Sequence, residues 1–281
     1  MKKYFIASLL PIFSLYSVDG PVRKKRAPAY ERKQQKRVRD QQEQQRKNQL
    51  ALMKYTHTDI NKNMPLIRGL FEFGNNTDPN IGMLNEKQRK EFGGSPLHNA
   101  ARAGNLEVVQ LLLGKGAIVI QALPTKRNKK NNNYEYNTPL HEAVRGHQKD
   151  GDYLAVIKAL RDAGANVNCG GVRNKYIPLT PLMVCVLQIK PSMEVLEELL
   201  SFESIDLNRQ SKDKGQTALH IAVVKDYTKI IHRLIDEGAD STVQDKFHRT
   251  AKDLIEKRKL DIQNKTSKKR DKDRKKRGKK V

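Results

Sequence analysis

The sequence predicts an all-α solenoid of stacked helix-turn-helix units, and two observations carry that expectation. A short segment with one fixed residue pattern recurs along the chain, and each copy is followed by an apolar stripe at helical period. The copies are Ser95-Pro96-Leu97-His98-Asn99-Ala100, Thr138-Pro139-Leu140-His141-Glu142-Ala143, Thr180-Pro181-Leu182-Met183-Val184-Cys185 and Thr217-Ala218-Leu219-His220-Ile221-Ala222, with a degenerate fifth beginning at Thr250-Ala251-Lys252-Asp253-Leu254. Self-similarity at a roughly constant spacing is the mark of a one-dimensional stack, in which each unit buries its apolar face only against its neighbours.

The residue types in the pattern follow from what a helix start demands. Ser or Thr supplies an oxygen to the free N–H groups of the first turn, and Pro suits the first helical position because its missing N–H costs nothing there. Leu opens the buried stripe, and Ala, or Cys185 in its place, allows a neighbouring helix to approach closely. A second helix follows in each unit, over Val108–Leu113, Val156–Leu160, Val195–Leu200 and Ile230–Ile235, with apolar residues at i, i+1, i+4 and i+5 on one face. Gly116, Gly164 and Gly238 stop these helices where a left-handed residue is needed, each followed by Ala. In the third unit Glu203 stands at the expected position of that glycine. Asn166-Val167-Asn168 and Asp240-Ser241-Thr242 open the turn to the next unit.

The pattern resembles the ankyrin repeat, whose Thr-Pro-Leu-His-x-Ala signature and period of about 33 residues match the unit Thr217–Arg249 without insertion. The other units carry insertions, the largest in the 121–134 loop and a smaller one within 147–152. The resemblance implies a solenoid of stacked helix pairs with β-hairpin-like turns over residues 50–260. Its units lie near 50–94, 95–137, 138–179, 180–216 and 217–249, with a cap over 250–260. Leu66–Gly74 matches the second helix of the first, capping unit, whose first helix falls near Leu50–Thr58. The resemblance also implies that the repeated histidine hydrogen-bonds the turn, with Met183 replacing it in one unit.

Outside the repeats the chain is basic. The formal net charge is +24. Residues 21–50 hold 11 Lys/Arg against 3 acids, and residues 256–281 hold 14 against 4, so most of the excess sits in two tails. Like-charge blocks of this kind repel themselves, and 261–281 is expected to be a disordered basic tail. Lys268, Lys269, Arg270, Arg274, Lys275, Lys276 and Arg277 fit either a nuclear-localisation or nucleic-acid patch, or a solubilising tail. The Gln-rich segment 21–49 lacks an apolar heptad and suits a solvated helix or linker. Residues 1–20 begin Met-Lys-Lys and continue with an apolar run from Tyr4 to Val18, too short to span a bilayer and matching a signal peptide of bacterial form or an N-terminal apolar leader. The basic cluster Arg23–Arg26 directly after it argues against export. The chain is accordingly expected to be secreted or periplasmic if the leader is a working signal, and cytoplasmic or membrane-anchored otherwise.

The residues point away from catalysis. His98, His141 and His220 recur once per repeat, but equivalent positions in packed neighbours lie about 10 Å apart, too far to share a metal ion. Cys169 and Cys185 form no Cys-x-x-Cys pair, and no phosphate loop or nucleophile elbow is present. No cofactor is expected.

The turns instead carry a row of cations with aromatics among them. These are Lys126, Arg127, Lys129 and Lys130 with Tyr134 and Tyr136; Arg173 and Lys175 with Tyr176; Arg209, Lys212 and Lys214; and Lys246, Phe247, His248 and Arg249. Turns of a solenoid align along one edge, so the row suits an acidic surface. Lys- and Asn-rich loops such as 128–133 are equally consistent with plain solvation. The sequence thus predicts a non-enzymatic, monomeric protein-binding scaffold, exported if the leader acts. The alternative is a binder of nucleic acid or anionic membrane through its tails.

Overall fold

The computed structural model describes residues 29–57, 60, 62–71, 77–80, 94–120, 123–128, 133–146, 151–173, 177–261 and 263–264; for 123–128, 133–136, 171–173 and 177–178 it describes the backbone. The leader 1–20, Gly74 and the basic tail beyond 264 lie outside the described residues. The chain divides into two compact units, 1–43 and 44–281.

In the first unit, residues 29–43 form the beginning of helix α1 (Ala29–His57), and residues 30–43 are all exposed. Gln34 donates to the Tyr30 hydroxyl at 3.0 Å. A helix with no apolar face buries nothing and is held by its own backbone bonds and local side-chain pairs.

The second unit contains the solenoid. From residue 48 onward α1 turns Asn48, Leu52, Met53 and Thr56 inward. It pairs with α2 (Met64–Phe71), which buries Ile67. Four helix pairs follow: α3 (Pro96–Ala103) with α4 (Leu106–Gly114), α5 (Pro139–Gly146) with α6 (Tyr153–Asp162), α7 (Pro181–Leu187) with α8 (Met193–Leu200), and α9 (Ala218–Lys225) with α10 (Thr228–Asp236). A last helix, α11, runs over 251–261. First helices pack on first helices of the next pair, and second helices on second helices. This is the all-α solenoid of stacked helix pairs that the sequence predicts. Leu97, Leu140, Leu182 and Leu219, at the same place in each unit, are all buried, as are Ala100, Ala143, Cys185 and Ala222 where the helices come closest.

The connections between pairs are extended. β1 (Leu123–Asn128) pairs antiparallel with β2 (Asn133–Asn137), and β3 (Gly171–Arg173) with β4 (Ile177–Leu179). β2 also pairs with β3, so the two hairpins join in one four-stranded sheet.

Three devices lock one pair to the next. The first is the repeated histidine. His98 Nδ1 faces the Ser95 N–H at 3.2 Å and the Ser95 hydroxyl at 2.7 Å, while Nε2 meets the carbonyl of Asn137, the last residue before the next cap, at 2.8 Å. His141 does the same with Thr138 and Leu179, and His220 with Thr217 and Arg249. A carbonyl can only accept, so Nε2 carries the proton and Nδ1 accepts from the cap residue. Each ring therefore fixes its own helix start and reaches the residue just before the next one. Met183 cannot make that bond, and the third pair has apolar contact there instead.

The second device is an asparagine ladder. Asn80 donates to the Gly116 carbonyl and accepts from Ile118 N–H; Asn168 donates to the Ser204 carbonyl and accepts from Asp206 N–H; Asn208 accepts from Asp240 N–H. This ladder corrects the sequence alignment of the third unit. Ser204, not Glu203, occupies the glycine position, because Asn168 grips it as Asn80 grips Gly116. Ile120 stands where the ladder would continue from the α3–α4 pair, and its aliphatic side chain cannot bridge.

The third device sits between the α3 and α5 turns. The Tyr153 hydroxyl donates to the Arg102 carbonyl at 3.1 Å. Its ring lies against Gly104 and Gly146, so closely that a Cβ on Gly146 would stand 2.5 Å from the ring and 2.7 Å from the Arg102 carbonyl oxygen. Glu142 is buried beside it, with Arg102 Nε donating to it at 2.6 Å and Asn137 Nδ2 at 2.6 Å. Burial alone would raise this carboxyl, but the Arg102 charge and both hydrogen bonds outweigh it and hold the group at about 2.

Two predictions follow from this junction. Gly146→Ala forces the Tyr153 ring or the backbone to move, and should destabilise the protein by about 1–3 kcal/mol, read as a lowered urea midpoint; an unchanged midpoint would mean that the contact is not tight. The second concerns acid. Burial pushes His141 down from 6.5 to about 4, against the raising effect of its bond to Leu179. Between those values the unfolded chain takes up a proton that the folded chain refuses. Stability is therefore full above pH 6.5 and falls as pH drops toward 4, by about 3 kcal/mol from this group. Melting curves between pH 7 and 4 should show the fall, and His141→Gln should flatten it; an equal slope in that variant would place its source elsewhere.

Candidate functional site

The site is the edge formed by the extended connections, and it is built by the same backbone that links the helix pairs. Asn137, Leu179 and Arg249, whose carbonyls take the histidine bonds, are the residues that close these connections just before each cap. The histidines thus set where three of these connections end.

In the sheet, register places Lys126 opposite Glu135, and Arg127 opposite Tyr134. Glu135 in turn faces Arg173, and Tyr136 faces Val172. An acidic position thus lies between two cationic ones, which the sequence reading of the row overlooked. The pairing register is what reveals it, since spacing along the chain gives no sign of which residues face across strands. Lys129, Lys130, Lys175 and Tyr176 lie outside the described residues, as do Lys268, Lys269, Arg270, Arg274, Lys275, Lys276 and Arg277.

The C-terminal turns are described with their side chains. In the turn after α8, Ser211 is buried, its carbonyl accepts from Gly215 N–H at 2.8 Å, and its hydroxyl accepts from Gln216 N–H at 3.1 Å. Gly215 adopts φ of 66°, and a Cβ there would stand 3.0 Å from Lys246 N. That close approach lets the Lys246 N–H donate to the Lys214 carbonyl at 2.9 Å, while Lys246 Nζ donates to the Lys212 carbonyl. Gln210 Nε2 bridges the carbonyls of Gly215 and Gln244, at 2.7 Å each. Two successive turns are thereby laced together, and Lys212, Lys214 and Lys246 emerge from them exposed.

Arg249 and Phe247 have another task. The Asp245 carboxylate is buried, accepts from the N–H groups of Phe247 and Arg249 at 2.8 and 3.0 Å, and takes Arg249 Nε and Nη2 at 3.0 and 2.7 Å. Burial raises this carboxyl, and the Arg249 guanidinium with the two backbone donors outweighs it, holding the group below the usual carboxylate range. Arg249 also stacks over the Phe247 ring at 4.7 Å. Its charge is therefore answered within the turn, and its role there is to hold the turn in shape. The Asp245-to-Arg249 spacing was legible in the sequence, but its meaning depends on a turn that folds the two together. Phe247 keeps an outward face, being 61% exposed.

Burial pushes the Cys185 thiol up to about 12, and the half-buried Cys169 thiol is raised by burial and partly lowered by Arg209. Among the described residues no group of three or more His, Cys, Asp or Glu side chains could hold a metal ion. An open cleft of about 1060 Å³ includes Arg161, Asn168, Ser201 and Arg209 in its walls, but Arg161 is already bonded to Glu198 and Ser201. No described helix is long and apolar enough to cross a membrane.

Comparison with known proteins agrees with the fold. Alpha-latrotoxin-Lg1a of Latrodectus geometricus is 25% identical over 190 residues, which cover 59% of this chain and 13% of that protein. The chain thus spans a small part of that relative's length. The family model described as "Ankyrin repeats (3 copies)" matches residues 52–170 and 148–245, more than half of the chain. Together with the histidine-clamped helix pairs, this match shows that the chain belongs to the ankyrin-repeat family.

Proposed function

We propose that this protein is a non-enzymatic adaptor that binds a protein partner with an acidic surface along the turn edge of its repeats. Ankyrin repeats are a scaffold for protein–protein interaction. The observation that carries the finer reading is the lacing of successive turns, in which the Lys246 N–H and ammonium meet the Lys214 and Lys212 carbonyls, so that the backbone carrying three exposed lysines is fixed on one edge. Lysines on a fixed backbone have less chain freedom to lose on binding than lysines on a loose loop. The apolar leader over residues 1–20 supports an exported protein, and a tagged full chain should leave the cytosol where one lacking those residues stays.

A second reading rests on the tails, whose charge suits nucleic acid or anionic lipid. The two are separated by one set of binding measurements on the partner recovered by crosslinking. Replacing Lys212, Lys214 and Lys246 together by Ala should weaken binding about tenfold or more, while removing 265–281 should leave it largely intact at about 0.3 M salt. Binding that vanishes with the tail, falls steeply with salt and ignores the three lysines would contradict the protein-partner reading.

A further inference from the structure

Counted from each cap residue, the eighth position of the first helix is Arg102, Arg145, Leu187 and Val224 in successive pairs, and Lys257 in α11. Packed helices lie about 10 Å apart, so these positions form a stripe across the stack. Its middle is aliphatic, between cations on either side. Leu187 is 37% exposed and Val224 57%, although Val184 and Ile221, three residues before them, are buried. Ile189, just after α7, is 86% exposed.

That exposure is built in. The Tyr227 hydroxyl donates to the carbonyls of Gln188 and Ile189 at 2.9 and 3.1 Å, fastening the 188–189 backbone of one repeat to the next. Ile189 is therefore held outward beside the α9–α10 turn, not released by fraying. Lys225 and Lys257 are exposed at the C-terminal side of the patch. Nearby, Asp226 is matched by Arg258 at 2.5 Å, so its carboxylate is engaged away from the lysines of this rim.

We infer that Leu187, Ile189 and Val224 form an anchoring subsite for an acidic protein segment that presents two apolar side chains about 10 Å apart, its carboxylates meeting Lys225 and Lys257. Such anchors sit about seven residues apart on a helix, or about three apart on a polyproline II segment, whose side chains return to the same face every third residue. The inference rests on the protein-partner reading and names what that partner offers. A second copy of this chain fits poorly, because two patches face to face would oppose their cationic rims on a chain of net charge +24. Nucleic acid would leave the aliphatic centre without a partner.

The test pans the full chain against a displayed library of peptides of about twelve residues, long enough to reach both anchors as a helix. Selection at about 0.3 M salt suppresses capture by the tails. Enriched peptides should combine Asp or Glu with two apolar residues at one of the two spacings. Ile189→Asp and Val224→Asp, at exposed positions and with unchanged melting curves, should each weaken them about tenfold. Lys257→Glu should shift selection away from acidic flanks. Failure to enrich any peptide, or peptides indifferent to both aspartate variants, would overturn the subsite. It would also be overturned if the aspartate variants released the chain from phosphatidylserine vesicles without changing peptide binding. Peptides that respond to loss of Lys212, Lys214 and Lys246 but not to these variants would remove this subsite and leave the proposed function standing.

Discussion

An imidazole N–H pointing at the last carbonyl before the next repeat is the bond on which the rest of this structure depends. In a stack where each unit touches only its neighbours, stability is a sum of local terms and of interfaces between adjacent units. His98, His141 and His220 serve both terms with a single ring, accepting from their own cap residue and donating across the interface. Because the rings are buried, each such bond exchanges poorly with water, and leaving either end unmet would be costly. Both ring nitrogens of each histidine are thus taken up by the architecture of the stack.

The same bond explains why the turn edge has a defined shape. Its acceptors on Asn137, Leu179 and Arg249 are the final residues of the turns, so the clamp that starts each helix also closes each turn. At Met183, where the clamp is missing, the Gln216 carbonyl just before the next cap accepts from the Ser211 N–H instead; Gln210 and Lys246 lace the following turns together, and Asn208 continues the ladder. The C-terminal half therefore presents cations on a rigid edge and an aliphatic patch on the first helices. In the N-terminal half, by contrast, polar groups are paired inward, as in the buried Arg102–Glu142 contact.

Much of this was legible in the residues because it is local. A cap hydroxyl, a proline and a histidine at fixed spacing specify a helix start whatever surrounds them, and the apolar stripe shows which face is buried. What escaped was what depends on pairing across long separations. Glu135 comes between Lys126 and Arg173 only through strand register. Tyr153 fills the space over Gly104 and Gly146 from 51 residues beyond Arg102, whose carbonyl it meets, and no periodicity announces it. The slip between Glu203 and Ser204 arose because the third unit has no glycine to mark its helix stop, and the asparagine ladder resolves it. Asp245 reads as a separate acid until the turn folds it against Arg249, so the ion pair made by this cation of the row was not legible either.

The most direct test of this account is long-range nitrogen–proton NMR of the histidine rings in the folded chain, which reports tautomer and charge for each imidazole. The account predicts that His98, His141 and His220 hold the proton on Nε2 near neutral pH, and that His141 stays neutral down to about pH 4. A mixture of tautomers, or titration of His141 near 6.5, would show that the rings do not clamp the repeats and would contradict the account at its base.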